Sequence, residues 1–196
     1  MLRRVLLCLV VLPQLLLAAA GAADQKLPVY RAPEKQPQDY RNVALNPQAA
    51  AETEPSSYPH ATSNSEWNKK EFAARCAIDG KRDNKDVHGC GSWGPDIRDD
   101  LWWKLDFGRP VEIDALVIYI RAAFPHDNYW QQATLEFSDG SKAEIKLEKS
   151  AEPQRFPLSK RVVTWLRITH LKQSEPKKWC AFCEVEVYGR DADAAP

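Results

Sequence analysis

The chain has 196 residues, with 27 basic and 27 acidic side chains in balance and five cysteines. That balance excludes the strong basic excess which nucleic acid or an anionic membrane surface rewards. The length is that of one domain of ordinary size with short appendages.

The first element is a signal. "MLRRVLLCLVVLPQLLLAAAGAA" starts with Arg3 and Arg4, continues as an apolar run and ends on small residues, the pattern of a secretory signal over residues 1–23, cut after Ala22 or Ala23. A transmembrane anchor is the alternative, but Pro13 and Gln14 interrupt the run and leave it shorter than the roughly 20 residues of a span. Cleavage removes two arginines and no acid, leaving a slightly acidic chain with no transmembrane anchor. Its destination is secreted or periplasmic, an oxidising space for Cys76, Cys90, Cys180 and Cys183. Four cysteines allow three pairings, and the sequence does not choose among them.

Residues 24–41 hold three prolines and few core formers, and read as an extended linker. Residues 191–196 are small and polar and read as a flexible tail. Between them, residues 42–190 form one domain. Helical periodicity is weak there: a single short helix is predicted near Asn68–Arg75, with Phe72 and Cys76 on one side. Period-two patterning dominates. "WWKLDF" alternates, placing Trp103, Leu105 and Phe107 inward and Trp102, Lys104 and Asp106 outward. "VEIDALVIYIR" and "VVTWLRITHL" are apolar enough for central strands. "ATLEFSDGSKAEIKLEK" is a hairpin turning at Asp139-Gly140, with Leu135, Phe137, Ile145 and Leu147 inward. "CEVEVYG" closes the chain. The expected fold is all-β: an antiparallel β-sandwich of about eight main strands with one short helix.

The segment "IRAAFPHDNYW" ends a core strand in residues that are costly to bury. Sugars are held by stacking apolar C–H faces on aromatic rings while Arg, His, Asp and Asn hydrogen-bond the hydroxyls, and loops at one end of a rigid sandwich provide such mixtures. Arg121, His126, Asp127, Tyr129 and Trp130 are therefore candidate ligand residues, joined by Trp93 from "SWGPDIRDDLWW". Each also has a structural reading: Trp130 as a roof over the core, and Pro125 to Asn128 as a turn. Trp165 and His170 read as structural, and Trp179 is left open between the two. No Gly-x-Ser-x-Gly elbow, His-Glu-x-x-His or glycine-rich phosphate loop is present, so the chain reads as non-catalytic.

Four landmarks, "NVALNPQA", "AARCAIDG", "LWWKLDFGRPVEIDALVIYIR" and "CEVEVYG", resemble in order and spacing the galactose-binding-like jelly roll. That superfamily includes discoidin and coagulation-factor C-type domains, fucose-binding lectins and family 32 carbohydrate-binding modules. The resemblance implies a structural calcium held by Asp79, the backbone carbonyls of Cys76 and Lys81, and Glu184 beside the carbonyl of Cys183, with Ser92 or the Cys90 carbonyl completing the set. Oxygen ligands of this kind suit calcium. Otherwise Asp79 merely stabilises a turn and Glu184 is a solvated strand residue. The resemblance also implies that Arg121 contacts sugar and that His88 completes a basic pocket. The second arginine and adjacent cysteine pair of the fucose binders are missing after Arg121, so no fucose specificity is assigned. All four cysteines would converge at one edge of the sandwich, which favours disulfides. A four-cysteine zinc site fits Cys180-x-x-Cys183, but Cys76 and Cys90 are too far apart in sequence for its other half. The implied partner is a glycan or polysaccharide; a protein or cell-envelope partner on the same fold is the alternative.

Overall fold

The computed structural model describes residues 39–49, 51, 57–83, 90–122 and 125–192. The predicted signal peptide, most of the linker, His88 and the last four residues lie outside these.

Seven strands follow in order among the described residues: β1 (Arg41–Asn42), β2 (His60–Ser63), β3 (Trp103–Ile120), β4 (Trp130–Phe137), β5 (Lys142–Lys146), β6 (Gln154–Gln173) and β7 (Phe182–Asp191). All named pairings are antiparallel, in the order β1-β7-β3-β6-β4-β5, with β2 added beside β3. The fold is the all-β sandwich expected from the period-two pattern. Its ends lie one residue outside the expected 42 and 190, since Arg41 pairs with Gly189 in β1 and Asp191 still belongs to β7. Asp191 accepts from both Arg41 and Arg109, tying the two ends of the domain together.

The long strands turn this one ladder into two layers. β3 and β6 run 18 and 20 residues, and their pairing slips between Asp106 and Val111. Gly108 and Pro110 sit in that break, Gly108 at φ 69 and Pro110 without a donor for the ladder. β4 and β7 are separated by two strands in the sheet order, yet Trp130 at the head of β4 meets Phe182 at the head of β7 with ring centroids 4.7 Å apart. One main core results, filled by Trp103, Leu105 and Phe107 from β3, Leu135 and Phe137 from β4, Ile145 from β5, and Val185 and Val187 from β7. The hairpin turns at Asp139-Gly140 as its sequence requires, with Gly140 at φ 83.

The predicted helix over Asn68–Arg75 is instead a turn followed by one 3-10 turn at Ala74–Ala77. Asn68 Oδ1 accepts from the amides of Lys70 and Glu71, capping a single turn in which the Phe72 N–H donates to Asn68 O at 3.2 Å. Among the described residues no helix is long and apolar enough to cross a membrane.

Candidate functional site: a pocket between two loops, and a buried acidic pair

β3 delivers Arg121 to the sandwich rim at the point where the strand stops. Its backbone N–H donates to Ala181 O at 3.0 Å, and its Nε lies 3.0 Å from Asp127 Oδ1. The Asp127 side chain is only 4% exposed, so the carboxylate is buried with its charge compensated by the guanidinium. His126 extends outward from the same turn, its Nε2 3.4 Å from Arg121 Nη2 and 3.5 Å from Asp127 Oδ1. Three charged or titratable side chains thus converge where the strand gives way to the turn.

The facing wall comes from the loop between β6 and β7. Buried Asn128 holds that loop at three points. Its N–H donates to Trp179 O at 3.2 Å, its Nδ2 to Glu175 O at 2.9 Å, and its Oδ1 accepts from Ser174 Oγ at 2.5 Å. Asn128 also bridges Cys180 in parallel register. The loop so fixed presents Lys177, Lys178 and Trp179, with Lys177 in the left-handed region at φ 58. Between the two walls lies a pocket of about 310 Å³, lined by Arg121, His126, Asp127, Lys177, Lys178 and Trp179 together with Phe72 and Ile97. It falls at the lower end of the range of about 300–1,000 Å³ typical of small-ligand sites. Trp179 is 44% exposed and meets Trp67, 50% exposed, edge to face at 5.0 Å; Trp67 meets Phe72 in turn at 5.4 Å. Gly94 is needed here, since a Cβ would lie 2.8 Å from the Phe72 ring.

Of the candidate ligand residues, the structure gathers Arg121, His126 and Asp127 in this pocket. Trp93 and Trp130 are corrected: they are 0% and 1% exposed and stack on each other at 5.3 Å, beneath the surface. Strict alternation from Ala133, Leu135 and Phe137 would turn Trp130 outward, but register slips between Trp130 and Thr134 turn it back in. Trp93 pairs with Phe182 and spends its indole N–H on Ser65 O at 3.0 Å. Tyr129 packs, partly buried, against the core. Trp67, Lys177 and Lys178 are not singled out by sequence, and Phe72 reads there only as one side of a short helix; their signal is no more than an aromatic or a lysine in polar coil.

The expected disulfides hold for Cys76 and Cys90 and are corrected for Cys180 and Cys183. Cys76 and Cys90 form a disulfide, while Cys180 and Cys183 are buried free thiols. Cys180, just before the closing strand, packs in the main core, and Cys183, within that strand, packs with Val117 and Tyr119 in a separate cluster. Burial pushes both thiols up to about 12, which keeps them protonated and unreactive. With Cys76 and Cys90 in a bond, a four-cysteine zinc site is ruled out.

Asp79 follows the 3-10 turn and Glu184 lies near the start of β7, and the fold brings them together. Gly80, at φ 89 in the turn after Asp79, donates its N–H to Glu184 Oε1 at 3.1 Å. Asp79 Oδ1 accepts from the Lys81 N–H at 2.9 Å, and Lys81 Nζ stands 3.8 Å from Oδ2. Asp79 Oδ2, Glu184 Oε2 and Ser92 Oγ are buried with no hydrogen-bond partner among the described residues. Burial, and after it the neighbouring Asp79 charge, raises the Glu184 carboxyl to about 9; burial likewise raises Asp79. Two neighbouring buried carboxyl groups, each with an oxygen that no hydrogen bond satisfies among the described residues, are donors that fit a hard divalent cation. Among the described residues no three His, Cys, Asp or Glu side chains cluster, so such an ion would draw its remaining ligands from hydroxyl and carbonyl oxygens.

The chain belongs to the F5/8 type C domain family, whose model matches residues 60–185. The galactose-binding-like jelly roll inferred from the sequence landmarks is thereby established. Among solved structures, the chain resembles chitosan-binding module 1 of a chitosanase/glucanase from Paenibacillus sp. IK-5 at TM-score 0.54 and 18% identity, covering 76% of this chain and 99% of that one. It resembles a fucolectin from Morone saxatilis serum at TM-score 0.56 and 19% identity, covering 71% of this chain and 50% of that one. It also resembles the family 32 carbohydrate-binding module of NanJ from C. perfringens, solved with galactose, at TM-score 0.52 and 17% identity, covering 66% of this chain and 92% of that one. No curated protein matches.

Proposed function

We propose that this chain is an exported, non-catalytic carbohydrate-binding module that holds a glycan in the pocket between Arg121–Asp127 and the Trp179 loop. The observation that carries the reading is the pairing, across one small pocket, of an exposed aromatic wall with a fixed set of polar groups. Trp179 offers a ring face or edge to the apolar side of a sugar, while Arg121 and His126 offer donors to its hydroxyls. Asp127 fixes the guanidinium in place, so little side-chain entropy is lost on binding. The fold's likeness to a chitosan-binding module, a fucolectin and a module solved with galactose supports the same reading. The signal-like residues 1–23 support export.

The pocket is poorly equipped for hydrolysis. A glycosidase needs two carboxyl groups flanking the bond, whereas Asp127 is the sole carboxylate in the lining among the described residues and is engaged by Arg121. The Cys180 thiol on the wall is held protonated. Calcium at Asp79, Glu184 and Ser92, with carbonyls from Cys76, Lys81 and Cys183, would neutralise the acidic pair and clamp the loop after the 3-10 turn to the closing strand. Its role there is structural.

The test is a glycan array probed with wild type and Trp179→Ala. Selective glycan signal lost in the variant, with unchanged melting, is the expected result. No glycan signal, with a protein partner captured through the exposed Trp67–Trp179 surface, would replace this reading with a protein-docking one.

A further inference from the structure

Resting on the reading of this pocket as a glycan site, we propose that its ligand is an acidic polysaccharide, bound as a chain segment several sugars long through carboxylate or sulfate groups. A second, more open hollow of about 640 Å³ adjoins the pocket and shares Ile97 and Lys177 with it. A ligand occupying both would run from Trp179 past Lys177 to Lys172 and His170, further than one sugar would fill.

The charges along this path are one-sided. Within the pocket, Asp127 and Arg121 compensate each other. In the second hollow Arg98 is bound to Asp100. What is left is Lys172, Lys177 and Lys178, all exposed, with no carboxylate paired to any of them among the described residues, against Asp99 alone. Glu175 lies on the same loop but lines neither hollow. His126 and His170, one in each hollow, add donors and carry positive charge when protonated. The chain as a whole is balanced in charge, so this local excess reflects placement and not composition. Asn128 fixes the loop bearing Lys177 and Lys178, so the ammonium groups project from an ordered backbone. A flexible lysine is a point charge that follows an anionic group without demanding one geometry, which suits a polymer whose carboxylates or sulfates recur along it. Trp179 beside Lys178 would stack the sugar ring between two such charges.

The experiment measures binding of the full-length protein to polygalacturonate, its neutral methyl ester, dextran sulfate and dextran, at low and at high salt. Wild type is compared with Trp179→Ala and with the combined Lys172→Gln, Lys177→Gln, Lys178→Gln variant, each checked for wild-type melting. Exposed ion pairs are individually weak, so the three together are expected to favour an acidic polymer over its neutral form by on the order of tenfold. That preference should fade at high salt and vanish in the triple variant, while Trp179→Ala weakens both forms. Preference for polygalacturonate alone would assign carboxylates, for dextran sulfate alone sulfates, and for both a shared anionic recognition. Equal binding of acidic and neutral polymers, or a triple variant with undiminished preference, would overturn the inference and leave the glycan reading standing. Failure to bind any polymer here or any glycan on the array would overturn both.

Discussion

Replacing Glu184 by Gln tests whether the buried acidic pair is a cation site. Without metal, Glu184 Oε2 and Asp79 Oδ2 are buried with no hydrogen-bond partner among the described residues, only Lys81 Nζ standing 3.8 Å from Asp79 Oδ2, and burial together with the Asp79 charge makes Glu184 harder to ionise. A buried unsatisfied polar group costs about 1–3 kcal/mol, and more when charged. Gln keeps the acceptor for the Gly80 N–H, cannot ionise and supplies a donor. In chelator the Glu184→Gln variant should therefore be more stable than wild type by about 1–3 kcal/mol at neutral pH. For a domain near 150 residues this is roughly 2–10 °C in melting temperature. The difference should grow with pH: unfolded Glu184 releases its proton near the ordinary 4.5 while the folded group holds it to about 9, so wild type loses stability as pH climbs between them. With calcium the order should reverse: wild type gains about 2.7 kcal/mol when the free ion is at 100 times its dissociation constant, and the variant gains little. The assay is thermal melting of both proteins in chelator and across a calcium titration. A wild type indifferent to calcium, with the variant melting no higher than wild type in chelator, would refute the reasoning and leave Glu184 as a structural acid bonded to Gly80.

The other predictions separate core from pocket. Trp130→Ala should cost about 3–5 kcal/mol in denaturant unfolding because it empties the stack with Trp93 and Phe182, whereas Trp130→Phe should cost clearly less, since the indole N–H has no acceptor to lose among the described residues. The two free thiols should resist a thiol reagent at neutral pH in the native protein and react fully in denaturant, where burial no longer holds them up near 12; rapid labelling of the native protein would contradict their burial.

Much of the architecture was legible because period-two alternation reports a face directly. Trp103, Leu105 and Phe107, and the Asp139-Gly140 hairpin, follow from side-chain spacing and turn chemistry alone. Arg121 was legible for a related reason: a charged residue at the end of an apolar strand has to leave the core. What the pattern could not show were departures from regularity and meetings between distant segments. A register slip after Trp130 reverses one side chain and moves it from rim to core. Trp93 is buried by its bridge to Phe182, far along the chain. Cys180 and Cys183 share a short motif, yet they pack in different clusters. Trp67, Phe72 and Trp179 are ordinary aromatic residues in coil until the fold places them side by side. Asn128 looked like turn polarity, and its importance lies in three bonds to a loop some 46 residues onward. Family landmarks drew attention to Asp79 and Glu184, whose orphaned oxygens then became visible only in three dimensions.

The central claim is that Trp179 and the Arg121–Asp127–His126 group form one glycan site. It is tested most directly by titrating the glycan that gives the strongest array signal into wild type, Trp179→Ala and Arg121→Ala by calorimetry, with melting curves as the control for folding. Expected are measurable binding to wild type, loss of at least about tenfold in Trp179→Ala at unchanged melting, and a comparable loss in Arg121→Ala. Full-strength glycan binding by both variants would place the sugar elsewhere on the sandwich and contradict the assignment of this pocket.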